Sequence, residues 1–228
     1  MKRIIITGGS DGLGLAFTTL CLNADIQVIN LSRHQPKINN ISIENHKLIH
    51  LETDLTDEKS IIKSANLIKE RYATFDALVH CAGAISIQEA NRITYDELET
   101  VMKVNTLAPI FLTSQLFDLI TENEADVFNI GSTVGTKAHA SQAAYTASKR
   151  ALRGVSQTLQ IELAKTKCRV IQFNLGGMAT RFHEKYNGTK IENPNEWMNP
   201  RDIAELMFSL LKLPKQIEVS EILINRKK

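Results

Sequence analysis

Short apolar runs alternate along the chain with longer segments in which apolar residues recur at helical spacing. The short runs are rich in isoleucine and valine and are bounded by turn residues, which is typical of β-strands. They predict strands at 3–7, 27–31, 47–53, 77–82, 126–131, 169–175 and 221–225. The longer segments predict helices near 13–23, 57–70, 95–120, 142–165 and 200–213.

This order of elements predicts the fold class. Regular alternation of strand and helix indicates an α/β fold, a doubly wound parallel sheet of about seven strands with helices on both faces. The strands are continuously apolar, as strands buried on both faces are. A single domain is expected over 1–228, with Thr56 capping the second helix and Pro200 opening the last. The least regular stretch, 178–199, predicts a loop over the substrate.

Composition excludes several classes of function. Of the 228 residues, 43% are hydrophobic and 23% charged, and the formal net charge is +2. Neither this charge nor any basic stripe indicates a nucleic-acid partner. No run approaches about 18 apolar residues, so no membrane partner is expected. The cysteines, which are expected to be buried free thiols in a cytoplasmic protein with no metal site, are Cys21, Cys81 and Cys168.

A glycine-rich turn follows the first strand, where Thr7 precedes the sequence GGSDGLG. Gly8 would allow the sharp turn, Gly12 a close approach of backbone to ligand, and Gly14 tight packing of the helix. The first amides of that helix have no internal partners and lie at the positive end of its dipole, so they suit a diphosphate. Tight strand-to-helix turns also need glycines for steric reasons alone.

The end of the second strand bears on cofactor choice. No acidic residue occupies 26–33, and Ser32 and Arg33 supply a hydroxyl and a guanidinium. An arginine here suits a ribose 2′-phosphate, whereas a carboxylate would suit an unphosphorylated ribose. NADP(H) is therefore favoured over NAD(H), although Asp11 brings a negative charge into the same neighbourhood.

A tyrosine and a lysine share one face of a predicted helix, because Tyr145 and Lys149 are four residues apart. The ammonium is expected to lower the pKa of the phenol and to suit it for general acid–base catalysis. Ser132 follows the fifth strand, at the sheet edge where ligands bind in open α/β sheets. There it could hydrogen-bond a substrate oxygen or simply cap a turn.

Together these features resemble the short-chain dehydrogenase/reductase family. The motifs are TGGSDGLG at 7–14, TDL at 53–55, HCAG at 80–83, the asparagine of VMKVN, and NLGGMAT at 174–180, with Ser132, Tyr145 and Lys149 in the family's order. The resemblance implies a Rossmann fold and a homodimer or homotetramer, the dimer formed through the helices at 95–120 and 142–165. The sequence differs from the family pattern at HCAG, where the family usually has Asn-Asn-Ala-Gly. His80 and Cys81 of this motif are expected to be core residues.

The resemblance also implies roles for residues. Tyr145 would protonate the carbonyl oxygen, Lys149 would tune Tyr145 and bind the nicotinamide ribose, Ser132 would hold the substrate, and Asn105 would support a water-linked proton path. The implied cofactor-binding residues are Gly8, Ser10, Asp11, Gly12, Leu13, Gly14, Ser32, Arg33, Asp54, Leu55, Ala82, Gly83, Tyr145, Lys149, Gly176, Met178 and Thr180. Among these, Asp54 would contact the adenine, and Met178 and Thr180 the nicotinamide amide.

The implied function is an oxidoreductase that reduces a small-molecule carbonyl to an alcohol with NADP(H). Two alternatives stay open: a 3-oxoacyl-thioester reductase, and a non-catalytic module that senses NADP(H). Trp197 and Met198 are expected either to line the pocket or to anchor its loop. The other candidates for substrate contact are His139, Phe182, His183 and Tyr186.

Overall fold

The computed structural model describes residues 1–38, 47–182, 184, 188 and 190–227. Within these ranges seven strands form one sheet in the order β3-β2-β1-β4-β5-β6-β7, and every adjacent pair is parallel. The predicted fold class is confirmed. The strands are β1 (Arg3–Thr7), β2 (Gln27–Ser32), β3 (Leu48–Glu52), β4 (Ala77–His80), β5 (Asp126–Ile130), β6 (Val170–Leu175) and β7 (Glu221–Ile224).

Helices connect these strands. They are α1 (Gly12–Asn23), α2 (Glu58–Arg71), α3 (Tyr95–Met102), α4 (Ala108–Glu122), α5 (Ala143–Glu162) and α6 (Pro200–Leu211). The single helix expected at 95–120 is wrong in one respect, because a π-helical segment, Lys103–Leu107, separates α3 from α4. None of the helices in the described ranges has the length and apolarity to span a membrane.

The core has two layers, one on each face of the sheet. Alternate residues of β1 serve different layers: Ile4 and Ile6 pack with α1 and α6, whereas Ile5 packs with α2 and α4. All three isoleucines are fully buried. Burial on both faces explains why β1 reads as a continuous apolar run.

The cap of α2 differs from the expected one. The side chain of Asp57, not Thr56, accepts a hydrogen bond from the amide of Lys59. Thr56 instead hydrogen-bonds to Asp54, whose Oδ1 accepts from the Thr56 amide at 2.8 Å and from the Thr56 hydroxyl at 2.7 Å. Pro200 opens α6 as predicted.

Strand order places the ligand crevice. From β1 the chain winds to one edge through β2 and β3, then returns to β4 and winds to the other edge. Ligands of open α/β sheets bind where the winding reverses, outside the carboxyl ends of the strands. Here that place lies between the turns that follow β1 and β4.

Candidate active site

A cavity of about 560 Å³ opens at this reversal point. All the predicted site residues lie in described ranges, and all except Asn105 line the cavity. Residues from seven separate motifs therefore meet in one crevice. Their individual binding and catalytic roles stay predictions.

The glycine positions of this turn do not accept side chains. Gly8 and Gly12 have φ angles of 72° and 53°, in the left-handed region that favours glycine. A Cβ on Gly8 would lie 2.7 Å from the Cα of Ala82, and one on Gly14 would collide with the carbonyl oxygen of Gly8. The turn therefore presents bare backbone and the start of α1 to the cavity, which fits the diphosphate of a dinucleotide.

A buried polar chain supports this turn from below. The amide of Gly9 donates to Asn30 Oδ1 at 2.8 Å, and Asn30 Nδ2 donates to Ser32 Oγ at 2.7 Å. Ser32 Oγ in turn donates to the carbonyl of His34 at 2.8 Å. The hydroxyl proton of Ser32 is thus committed to the backbone, whereas the side chains of Arg33 and His34, which line the same end of the cavity, are exposed.

Asp54 lies at the same end of the cavity. The hydrogen bonds from Thr56 hold the pKa of its carboxyl below the ordinary value, with a smaller contribution from the charge of Arg33. The carboxylate is therefore ionised at neutral pH.

The catalytic candidates come from β5 and α5. Lys149 is only 3% exposed and donates from Nζ to the carbonyl of Ile130 at 2.8 Å. Its Nζ lies 5.9 Å from the centroid of the Tyr145 ring. Ser132 caps the short 3₁₀ turn Thr133–Gly135, and its hydroxyl neighbours that of Tyr145. The cap considered for this serine is confirmed, and its contact with a substrate oxygen stays a prediction.

Burial, rather than the neighbouring lysine, has the largest effect on the pKa of Tyr145. It raises the pKa of the phenol to about 12, and the hydrogen bond from Ser132 offsets only part of that rise. The expectation that Lys149 would bring this pKa below its ordinary value is therefore wrong. Burial also lowers the pKa of Lys149 itself to about 8, so its ammonium persists at neutral pH but titrates just above it.

A family model described as short chain dehydrogenase matches residues 2–190. The chain belongs to the short-chain dehydrogenase family. An uncharacterised oxidoreductase of Staphylococcus aureus strain USA300 is 25% identical over 226 residues, which cover 98% of this chain and 96% of that protein. The resemblance seen in the sequence is confirmed, and the chain is an oxidoreductase of this family.

Solved structures agree in fold. The alcohol dehydrogenase of the archaeon Thermococcus sibiricus, complexed with 5-hydroxy-NADP, has a TM-score of 0.86 at 22% identity and covers 98% of this chain and 96% of its own. A 4-hydroxyisoleucine dehydrogenase complexed with NADH has a TM-score of 0.85 at 25% identity, covering 99% and 98%. Structures similar to this short-chain dehydrogenase thus carry either dinucleotide.

Asn105 differs from the other predicted residues because its side chain braces the backbone. It lies in the π-helical segment, where Oδ1 accepts from the amide of Ala84 at 2.8 Å. Nδ2 donates to the carbonyl of Ala84 at 2.7 Å and to Ser148 Oγ at 2.9 Å. The side chain ties the turn after β4 to α5, and its part in a proton path stays a prediction.

The segment after β6 closes one side of the cavity. Trp197 lines the cavity and packs on Gly177, where a Cβ would collide with the indole ring. The guanidinium of Arg226 lies 4.6 Å from the centroid of the Trp197 ring. Met198 instead packs against the core, so one of the two residues lines the site and the other anchors the loop.

The other candidates for substrate contact, and the residues of HCAG, differ in where the structure places them. His139 and Phe182 line the cavity, and the Phe182 ring lies 6.2 Å from that of Tyr145. His183 and Tyr186 lie outside the described residues. His80 is a core residue as expected, with Nε2 2.9 Å from the Thr113 hydroxyl. Cys81 was expected in the core too, but it is half-buried and lines the cavity because the turn after β4 faces the crevice.

Sequence reasoning missed Asn30 and Arg181. An asparagine inside the apolar run QVINL could have signalled the support beneath the glycine turn. The ion pair of Arg181 with Asp11, 3.2 Å between Nη2 and Oδ2, joins residues 170 apart and has no local signal.

Proposed function

We propose that this short-chain dehydrogenase reduces a small-molecule carbonyl to an alcohol with NADP(H), and that Tyr145 is the proton donor. The observation that carries the proposal is the placement of the Tyr145 phenol beside Ser132 and 5.9 Å from the Lys149 Nζ, inside a cavity that the glycine turn also lines. A proton donor must be protonated at the operating pH, as the phenol of Tyr145 is. Its raised pKa makes it a weaker acid, so donation depends on the strongly basic oxygen that forms on the substrate.

The chemistry divides among three side chains. Ser132 and Tyr145 would hold the carbonyl oxygen by hydrogen bonds from their hydroxyl groups. The reduced nicotinamide, when bound, supplies a hydride to the carbonyl carbon. As negative charge grows on the oxygen, Tyr145 would give up its proton, because an alkoxide is a far stronger base than a phenolate. The ammonium of Lys149, with Nζ 5.9 Å from the ring centroid, would stabilise the phenolate that remains.

Arg33 supports the choice of NADP(H). It is exposed at the cavity edge after β2, where no carboxylate occupies 26–33. The polar support beneath it uses the Ser32 hydroxyl internally, so the guanidinium is the donor suited to a 2′-phosphate. Asp54, held ionised nearby, suits a hydroxyl or amino group of the adenosine instead.

A carbonyl panel tests the reaction class. NADPH and NADH oxidation would be followed with simple ketones, aldehydes, diketones and 3-oxoacyl thioesters. We expect turnover of free carbonyls, faster with NADPH. Turnover of thioesters alone would replace the proposal with 3-oxoacyl-thioester reduction, and tight dinucleotide binding without turnover of any carbonyl would replace it with a sensing module.

Arg33→Gln tests the cofactor choice. Loss of a charge-assisted phosphate contact is expected to raise the KM for NADPH about tenfold or more. The KM for NADH serves as the internal control and should not change. Equal effects on both dinucleotides would contradict recognition of the 2′-phosphate by Arg33.

Assembly and location also stay proposals. Leu107, Ile110 and Ile161 are exposed apolar residues on or beside α4 and α5, the helices expected to form a homodimer or homotetramer. Sedimentation would measure the assembly. The cytoplasmic location rests on the sequence alone.

A further inference from the structure

Three consecutive residues, Thr180–Phe182, cross the crevice and are called the crossing segment below. Thr180 packs on the glycine turn, since a Cβ on Gly12 would lie 3.3 Å from its Cγ2. Phe182 reaches the catalytic side, 3.3 Å from the corresponding position on Gly83. Arg181, between them, places its guanidinium 3.2 Å from the carboxylate of Asp11. The segment thus touches both sides of the crevice, and its one charge lies at the start of α1.

The carboxylate of Asp11 opposes the binding of a diphosphate at the start of α1. It is the N-cap of α1, accepting a hydrogen bond from the amide of Gly12 at 2.8 Å. A carboxylate stabilises a helix start, yet it repels a diphosphate that would use the same amides. The partial positive charge of a helix N-terminus, about half an elementary charge, does not by itself offset Asp11 and a doubly charged ligand.

Arg181 is the cation positioned to offset these charges. Of the described residues that line the cavity, the lysines and arginines are Arg33, Lys149 and Arg181. Arg33 follows β2, at the end expected to hold the adenosine, and Lys149 is tied to the carbonyl of Ile130 at the catalytic end. Arg181 lies between them, and 69% of its side chain is exposed, so it can turn from Asp11 without a burial cost.

We propose that Arg181 binds the diphosphate of the dinucleotide directly, and that Asp11 holds the guanidinium at the glycine turn until the diphosphate binds. The inference rests on the proposed function, because it assigns a further binding residue to the same cofactor site. A planar guanidinium matches phosphate oxygens through paired hydrogen bonds. The carboxylate of Asp11 keeps that guanidinium in place and then competes with the ligand for it.

The first test compares ligands with and without the diphosphate. Isothermal titration calorimetry would measure NADPH, ADP and adenosine binding to the wild type and to Arg181→Gln. We expect the variant to bind NADPH and ADP about tenfold more weakly, and adenosine as the wild type does. Arg92→Gln is the matched control, because Arg92 is similarly exposed, pairs with Glu89 and does not line the cavity. Unchanged ADP binding, or an equal loss of adenosine binding, would overturn the proposal.

The second test separates direct binding from mere neutralisation of Asp11. Asp11→Asn removes the charge but keeps a good N-cap, so α1 is preserved. In that background Arg181→Gln is again expected to weaken ADP binding about tenfold. If the double variant instead binds ADP as tightly as Asp11→Asn alone, Arg181 only offsets Asp11 and the proposal fails.

The outcomes also separate this inference from the proposed function. Wild-type binding of NADPH with no carbonyl turnover would defeat the proposed reaction and leave the role of Arg181 standing. Turnover with equal ADP affinity in all variants would defeat the role of Arg181 alone. A wild type that binds no dinucleotide would defeat both.

Discussion

At the scale of single residues, burial has opposite effects on the two members of the catalytic pair. It raises the pKa of Tyr145 to about 12 and lowers that of Lys149 to about 8, because both side chains lose hydration that favours their charged forms. Each group is therefore biased towards neutrality. Tyr145 therefore keeps its proton at neutral pH, and Lys149 titrates only slightly above neutral pH.

Replacement of Lys149 by methionine is expected to change how stability depends on pH. The folded pKa of Lys149, about 8, lies below its ordinary value of 10.5, so between these values the unfolded chain binds more protons and this group makes stability rise with pH. Between pH 7.5 and 9.5 the wild type should gain about 2 kcal/mol of unfolding free energy relative to Lys149→Met. Urea denaturation at the two pH values measures this difference, and parallel pH profiles would contradict the burial of the ammonium.

The sequence predicted which residues line the site better than it predicted their protonation and their ion pairs. The positions of Tyr145, Lys149 and the glycines could be predicted from the sequence, because local spacing and strand ends determine where they lie. The raised pKa of Tyr145 and the pairing of Arg181 with Asp11 could not, because both depend on packing between distant segments. Burial of a side chain is a property of the tertiary structure, and no local motif encodes it.

At the scale of elements, the break between α3 and α4 is the main departure from expectation. The π-helical segment Lys103–Leu107 adds a residue to the turn, and π segments often occur at functional sites. Here the break accompanies the three hydrogen bonds of the Asn105 side chain, which join Ala84 and Ser148. The π segment thus links the cavity wall after β4 to the helix that carries Tyr145.

Asn105→Ala is expected to destabilise the protein by about 2–4 kcal/mol, because it leaves the buried amide of Ala84 without its acceptor. Urea denaturation measures the loss. Asn123→Ala is the control: Asn123 Nδ2 also donates to two backbone carbonyls, but near the surface, and the expected cost is below about 1 kcal/mol. Equal costs for the two variants would show that Asn105 does not brace the site.

Element bounds were predicted within about two residues for the strands, since apolar runs bounded by turn residues carry that information. The break at Lys103–Leu107 could not be predicted. Its apolar pattern continues across the segment, and the partner of Asn105 lies 21 residues earlier in the chain. The cap at Asp57 was missed for a similar reason, because Asp54 captures Thr56 first.

At the scale of the whole molecule, the reversal of winding between β1 and β4 makes one long crevice from two halves of the sheet. The turn after β1 packs directly on the turn after β4, at Gly8 and Ala82. The resulting cavity extends from Arg33 after β2 to Lys149 on α5, so its two ends differ in chemistry. One end offers a guanidinium and a carboxylate, and the other a phenol, a hydroxyl and an amine. An extended two-part ligand such as a dinucleotide matches that arrangement.

The most direct test of the account is the single-turnover rate of NADPH oxidation by Tyr145→Phe with a carbonyl that the wild type reduces. With NADPH at saturation, loss of the proton donor is expected to slow the reaction about 100- to 10,000-fold. Tyr95→Phe, at a tyrosine that is 77% exposed, is the matched control and should react at the wild-type rate. A Tyr145→Phe enzyme that oxidises NADPH as fast as the wild type would contradict the assignment of Tyr145 as the acid.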